Sequence, residues 1–212
     1  MSRFFRAVSL AVLALGLTAM SAQAQKKTMG IVAGVDFATI NGSDNLNGAG
    51  SRTGFQGGLF VGIPLGTGGW AIEPEALYSM QGATYSGSGN NGALAADYIK
   101  IPVLVTWSKN PGGKGVYVLA GPTVGFSVSC NVSGTTGFGS VDGSCENEAD
   151  FKAKTTFSGD VGLGFSNGRF GLEGRYSWDW GDAFEVASGS TGAGTSLNMK
   201  NSVWSILLRF SK

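Results

Sequence analysis

The sequence contains no histidine, and this absence restricts the chemistry that the chain can perform. Histidine is the usual general base beside a nucleophilic serine, and it is the commonest ligand of transition metals. Its absence excludes Ser-His catalysis and histidine-based metal sites. We therefore expect a protein that is not an enzyme and that needs no cofactor or metal.

Long apolar runs are also lacking beyond the first residues of the chain. Arg3 and Arg6 precede an apolar run at 7–17, and small residues follow it as far as Ala24. A charged start, a short apolar core and a small-residue end are typical of a secretory signal peptide. The run is shorter than the roughly 20 residues that a helix needs to cross a bilayer. We predict a cleaved signal peptide at 1–24 and a single domain at 25–212.

Charged residues of either sign are scarce in the predicted mature chain. Without Arg3 and Arg6, 13 basic residues stand against 14 acidic ones, a net charge of −1. A nearly neutral chain has no electrostatic footprint for nucleic acid, so we expect no nucleic-acid partner.

Cys130 and Cys145 do not form a C-x-x-C redox motif. In an exported chain we predict a disulfide between them, and two free thiols are the alternative.

The segment 98–107 shows the pattern that is typical of the rest of the chain. Its residues alternate between an apolar face that ends at Trp107 and a mixed face that includes Lys100. A membrane-spanning strand has this arrangement, with lipid on one side, a crowded polar lumen on the other and an aromatic ring at the interface. In a membrane, strands must form a closed barrel, because every backbone polar group has to be hydrogen-bonded within the protein.

Eight segments follow this pattern, at about 29–39, 53–63, 70–81, 98–107, 116–128, 151–165, 170–180 and 200–210. Their connections alternate in length: long at 41–52, 82–96, 130–150 and 181–199, and short at 64–69, 108–115 and 166–169. Outer-membrane barrels combine short periplasmic turns with longer extracellular loops on an even number of strands. We predict an all-β fold, an eight-stranded antiparallel up-and-down transmembrane β-barrel with periplasmic termini and four long loops outside.

The predicted inward faces carry charged side chains that a narrow lumen cannot fully hydrate. These side chains are Glu73, Glu75, Lys100, Asp160, Glu173, Arg175 and Arg209. Eight strands enclose an interior that side chains nearly fill, and an unpaired buried charge costs several kcal/mol, so we expect ion pairs. Glu75 and Arg175 should face each other across the lumen. This network is either a gated polar conduit or a paired plug that holds the shape of the barrel.

Aromatic residues gather near the predicted strand ends, mainly on the outward faces. They are Trp70, Tyr78, Trp107, Tyr176, Trp178, Trp180 and Trp204. Aromatic belts of this kind lie at the two interfaces of a membrane. We predict an aromatic girdle, with ordinary core packing as the alternative.

Four short motifs resemble a known family. They are Ile-Glu-Pro-Glu-Ala-Leu-Tyr-Ser-Met-Gln-Gly at 72–82, Tyr-Ile-Lys-Ile-Pro-Val at 98–103, Leu-Ala-Gly-Pro at 119–122 and Gly-Leu-Glu-Gly-Arg-Tyr-Ser at 171–177. Together they look like the third, fourth, fifth and seventh strands of the outer-membrane β-barrel family often called porin-like or PorT-like. The resemblance implies the same barrel fold and the outer-membrane assembly machinery as a partner. Such barrels commonly end on an aromatic residue, whereas Ser211 and Lys212 follow Phe210 here.

The sequence thus favours a non-enzymatic integral protein of the bacterial outer membrane with a structural or surface-interaction role. Its expected partners are outer-membrane lipid, the barrel-assembly machinery and an extracellular ligand bound through the long loops. Two alternatives stay open. One is a narrow porin-like channel for small solutes, and the other is a secreted, lipocalin-like barrel that binds a small ligand.

Overall fold

The computed structural model describes residues 27–42, 49–87, 90–110, 114–136, 139–148, 151–186 and 195–212. The predicted signal peptide lies outside these residues. Within them, no helix has the length and apolar character needed to cross a membrane.

The described chain consists almost entirely of β-strands. One helical turn, α1 at Cys145–Glu148, interrupts them. The strands are β1 Thr28–Asn41, β2 Ala49–Pro64, β3 Trp70–Gly87, β4 Asn90–Ser108, β5 Gly115–Thr136, β6 Gly139–Ser144, β7 Phe151–Ala153, β8 Thr156–Ser166, β9 Phe170–Asp179, β10 Phe184–Val186, β11 Ser196–Leu197 and β12 Lys200–Ser211.

Eight of these strands form a closed antiparallel ring. The ring order is β1, β2, β3, β4, β5, β8, β9 and β12, and β12 pairs back with β1. Each ring strand therefore has a hydrogen-bonded neighbour on both sides, which leaves no open edge within the membrane. The eight-stranded antiparallel β-barrel predicted from the sequence is the observed architecture.

Along each ring strand, apolar side chains point outward and alternate with buried ones. On β12, Trp204 and Leu208 are 62 % and 67 % exposed, whereas Leu207, directly before Leu208, is fully buried. On β2, Leu59 is exposed and the next residue, Phe60, is buried. An exposed apolar band opposite a polar interior is the arrangement of a barrel that faces lipid.

Glycines allow some strands to approach one another closely. A Cβ atom added to Gly58 on β2 would collide with the backbone carbonyl of Ala76 on β3. A Cβ atom added to Gly34 on β1 would collide with the carbonyl of Ile206 on β12. A high glycine content within strands is expected where two backbones come this close.

The segments expected to be long loops contain far more regular structure than their sequences indicate. Strands β3 and β4 continue through 82–96 as one extended hairpin. The segment 130–150 holds the end of β5, β6 and α1, and 181–199 holds β10 and β11, which pair with each other and with β7. These loop assignments were wrong in local structure, because strands outside the membrane need no apolar lipid face and so lack the alternation that identifies a spanning strand.

Candidate functional site

The lumen nearest the short turns contains an arginine shared by two carboxylates. Arg209 on β12 donates to Glu73 on β3 at 2.6 Å and to Glu173 on β9 at 2.7 Å. Its guanidinium lies 4.0 Å from the ring centre of Phe60, and the hydroxyl of Tyr117 donates to Glu173 at 2.9 Å. Arg209 and both of its carboxylate partners are buried. The arrangement satisfies a buried cation with two anions and an aromatic face.

One layer deeper, Arg175 joins opposite walls of the barrel. Its two terminal nitrogens donate to both carboxylate oxygens of Glu75, at 2.6 and 3.0 Å. It also donates to Glu173 at 2.6 Å and lies 3.8 Å from Asp160. Arg175 is 1 % exposed. This two-pronged geometry is the strongest that an arginine and a carboxylate can adopt.

Six of the seven charges assigned to the lumen therefore belong to one connected set, which we call the lumen network. It consists of Glu73, Glu75, Asp160, Glu173, Arg175 and Arg209. Lys100 is buried but stands apart from it. Its ammonium group donates to Ser177 at 3.4 Å, and no described carboxylate lies within ion-pair distance of it.

Two members of the interior were not selected from the sequence. Asp36 is fully buried on β1 and accepts hydrogen bonds from Ser79 and Ser205, each at 2.7 Å. Tyr117 supplies the hydroxyl that binds Glu173. Side chains alternate between the two faces of β1, and Asp36 shares the inward face with the small residues Gly34 and Ala38. This alternation was the signal from which the inward position of Asp36 could have been predicted. Nothing in the local sequence marks Tyr117 as a partner of a carboxylate on another strand.

A hydrophobic cluster, which we call the loop core, lies at the long-loop end of the barrel. It is formed by Ile40, Ala83, Leu94, Ala96, Tyr98, Cys145, Ala183, Phe184 and Met199. Phe184 and Ala183 have no exposed surface. Backbone hydrogen bonds link Ala183 to Lys154 and to Met199, so separate loop segments are joined into one packed unit.

The disulfide predicted from the sequence is present and lies at the border of the loop core. Cys130 on β5 is bonded to Cys145, the first residue of α1. Cys145 is 1 % exposed and belongs to the loop core, whereas Cys130 packs against it. The bond therefore fastens the segment after β6 to the wall of the barrel.

The aromatic residues expected to form a girdle fall into two groups and one separate residue. Near the short turns, the rings of Trp70 and Trp107 lie 6.3 Å apart. Toward the long loops, Tyr176 lies 5.9 Å from Trp178 and 4.7 Å from Trp204. Trp180 directly follows the end of β9, two residues after Trp178, and is 55 % exposed.

Tyr78 stands apart from both groups on the outer surface of β3. It is 39 % exposed, and its hydroxyl donates to Asp97 at 2.7 Å. Its polar atom is thus directed toward a neighbouring strand while its ring remains at the surface.

A cavity of about 390 Å³, which we call the vestibule, lies at the short-turn end. Its rim contains Thr28, Pro64 and Gly168, and its deeper wall contains Glu73, Tyr117 and Arg209. The lumen network is thus reached from the short-turn end, and the loop core lies at the opposite end.

A family model described as outer membrane protein beta-barrel domain matches residues 16–185 of the chain. This protein belongs to the outer membrane β-barrel family. Membership agrees with the closed ring and the outward apolar band, and it places the protein in the bacterial outer membrane. It also removes the secreted lipocalin-like barrel from the alternatives.

Several solved structures are similar at low identity. The attachment invasion locus protein Ail of Yersinia pestis, solved in complex with the heparin analogue sucrose octasulfate, is 14 % identical with a TM-score of 0.49, covering 89 % of this chain and 100 % of Ail. Neisserial surface protein A is 12 % identical with a TM-score of 0.45, covering 88 % and 99 %. OprG of Pseudomonas aeruginosa is 13 % identical with a TM-score of 0.43, covering 89 % and 97 %. These similarities are too distant to transfer a function, and no curated protein matches the chain.

Proposed function

We propose that this outer-membrane barrel is a closed, non-enzymatic surface protein whose ordered loops contact an extracellular partner. The proposal rests on two obstructions in the lumen. Arg175 and Glu75 join opposite walls in the middle, and we infer that the loop core, in which Phe184 is fully buried, covers the long-loop end. A continuous water path would require both obstructions to open.

The lumen network supports a structural role more than a catalytic one. Its carboxylates are held by arginines, and arginine does not give up a proton at ordinary pH. A general acid or base needs a group that can exchange a proton with a bound substrate. The pairing of Glu75 and Glu173 with Arg175 instead fixes the distance between opposite strands.

The loops support the surface role because they are folded rather than simply long. A disulfide and the loop core fix their inner face, and binding residues are commonly carried by loops on a rigid scaffold. We assign the outward apolar band and the two aromatic groups to contact with outer-membrane lipid. We assign the signal at 1–24 to export, and the last strand, ending near Phe210, to recognition by the barrel-assembly machinery.

A narrow conduit is the second candidate, and the vestibule is the observation that favours it. The vestibule brings solvent to Arg209 and Glu73 from the short-turn end. Conduction would then depend on reversible separation of Arg175 from Glu75.

Planar-bilayer recording distinguishes the two candidates. We expect no conductance steps from the wild-type barrel and none from Arg175→Ala, because the loop core still covers the lumen. The double variant Arg175→Ala/Phe184→Ala should conduct, because both obstructions are weakened. Regular steps from the wild type would contradict the closed barrel and favour the conduit.

The surface role needs a separate measurement on whole cells. Cells that display the wild type should attach to protein-coated surfaces more than cells that display Cys130→Ser/Cys145→Ser, at equal amounts of folded barrel. Equal attachment of the two strains, and of a strain without the protein, would contradict a role in surface contact.

A further inference from the structure

The vestibule combines an excess of negative charge with aromatic walls. Glu73 and Glu173 share Arg209 at its inner end, and Glu173 also pairs with Arg175. The lumen network as a whole sets four carboxylates against these two arginines, which leaves an excess of negative charge when all of them are ionised. Such a charge is costly at low exposure unless a further cation compensates it.

Glu73 is the carboxylate that lines the cavity, and it is incompletely satisfied. Its Oε2 atom pairs with Arg209 at 2.6 Å, and its side chain is 9 % exposed. Its Oε1 atom has no hydrogen-bond partner among the described residues. A buried acceptor without a donor loses the hydrogen bond that it makes to water in the unfolded chain. A ligand that brings an N–H donor and a positive charge would correct both deficits.

The walls of the vestibule also suit a cation. Phe60 and Tyr117 line the cavity, and aromatic faces attract ammonium and guanidinium groups. Arg209 already uses both rings, with its guanidinium carbon 4.0 Å from the centre of Phe60 and 5.7 Å from that of Tyr117. The remaining surface of these two rings can cover the apolar part of a small molecule.

A metal ion fits this site less well than an organic cation. The described residues contain no group of three histidine, cysteine, aspartate or glutamate side chains placed to hold a metal. The volume of about 390 Å³ also exceeds what a bare ion requires and falls within the range of small-molecule pockets.

We propose that the vestibule binds a small organic cation, a primary ammonium attached to a short apolar group, with Glu73 as its charge partner. The ligand enters from the short-turn end, on the periplasmic side of the membrane. The site is separate from the loop platform, and ligand binding requires no opening of the lumen.

The test uses n-butylammonium as the probe and 1-butanol as its neutral match, with the mature barrel in lipid nanodiscs. The ring resonances of Tyr117, which lines the vestibule and is 8 % exposed, report occupancy of the vestibule itself and not partitioning into lipid; they are assigned with Tyr117→Phe. We expect saturable shifts with n-butylammonium and affinity at least tenfold weaker for 1-butanol. Butyrate, the anionic match, should produce no saturable shift.

Glu73→Gln removes the charge that the proposal requires, and Asp142→Asn makes the same change on exposed β6 at the other end of the barrel. The first variant should weaken n-butylammonium at least tenfold, and the second should leave its affinity unchanged. Both are first checked for the folded, heat-modifiable band on a gel. If Glu73→Gln does not fold, the comparison of the three probes on the wild type decides alone.

Three results would overturn the proposal. The first is equal affinity for n-butylammonium and 1-butanol, which would indicate a merely apolar cavity. The second is the absence of any saturable shift at Tyr117. The third is unchanged affinity in folded Glu73→Gln.

Discussion

Replacing Arg175 by methionine removes the cation that joins β3 and β9 while keeping an unbranched side chain of similar length. Glu75 then loses both hydrogen bonds that it accepts from Arg175. Glu173 is less affected, because Arg209 and Tyr117 still donate to it. The main consequence of the substitution is therefore one buried carboxylate, at Glu75, left without its cation.

The expected loss follows from the burial of the pair. The side chains of Arg175 and Glu75 are 1 % and 0 % exposed. Removing one partner of a buried ion pair costs about 3–5 kcal/mol. With a urea dependence of about 2 kcal/mol per molar, the unfolding midpoint should fall by about 2 M.

The measurement is urea unfolding of the refolded barrel in lipid vesicles, followed by tryptophan fluorescence. Arg169→Met is the matched control, because Arg169 is exposed in the turn between β8 and β9, and it should shift the midpoint very little. The double variant Arg175→Met/Glu75→Gln should recover part of the loss, because the unpaired charge is gone.

Two results would refute this reasoning. A loss below about 1 kcal/mol for Arg175→Met would place the pair in the class of exposed surface ion pairs. A double variant no more stable than the single one would show that the uncompensated charge on Glu75 is not the source of the cost.

Three further predictions concern the loop end and the strand contacts. Cys130→Ala/Cys145→Ala should cost the loop end about 3 kcal/mol, given a sequence separation of 15, and limited proteolysis should cut the loops while the barrel keeps its gel mobility. Phe184→Ala should destabilise the loop core by about 3–5 kcal/mol, seen as faster amide exchange in the loops and unchanged exchange in the ring strands. Gly58→Ala should prevent formation of the heat-modifiable barrel, whereas Gly174→Ala should fold normally, because the nearest atom to its added Cβ is 4.0 Å away.

The ring of eight strands was predictable because lipid imposes a strict rule on each spanning strand. Outward residues must be apolar, so Leu59 and Leu208 alternate with inward neighbours that escape this requirement. The inward position of Glu75 and Arg175 follows from the same alternation. Their placement opposite each other follows from the third and seventh positions of β3 and β9 in the ring.

The loop end was not predictable in the same way, because no lipid face constrains it. Gly92 and Gly134 lie on paired strands, and the ring of Tyr85 packs against both, yet their sequences resemble flexible polar linkers. Phe184 lies in a Gly-, Ser- and Thr-rich neighbourhood, and its burial depends on partners more than 80 residues away, such as Leu94 and Ala96. Only the pair of cysteines indicated that these segments are tied together.

The unequal lengths of the ring strands give the barrel a tall wall and a low wall. Strand β5 has 22 residues, and β9, two places further along the ring, has 10. A tilted strand crosses the bilayer in about 9–11 residues. The remaining length of β5, at about 3.3 Å per residue, rises on the order of 25 Å above the membrane after allowance for tilt.

A molecule that approaches from the side of β3, β4 and β5 therefore meets the outside of the tall wall. One that approaches from the side of β8, β9 and β12 passes over the exposed rings of Trp180 and Trp204. The inner surface of the wall faces this second direction, and the loop core covers the part of it that carries Ala83, Leu94 and Ala96. A binding partner held close to the same membrane therefore meets the loop core and the tall wall together from the side.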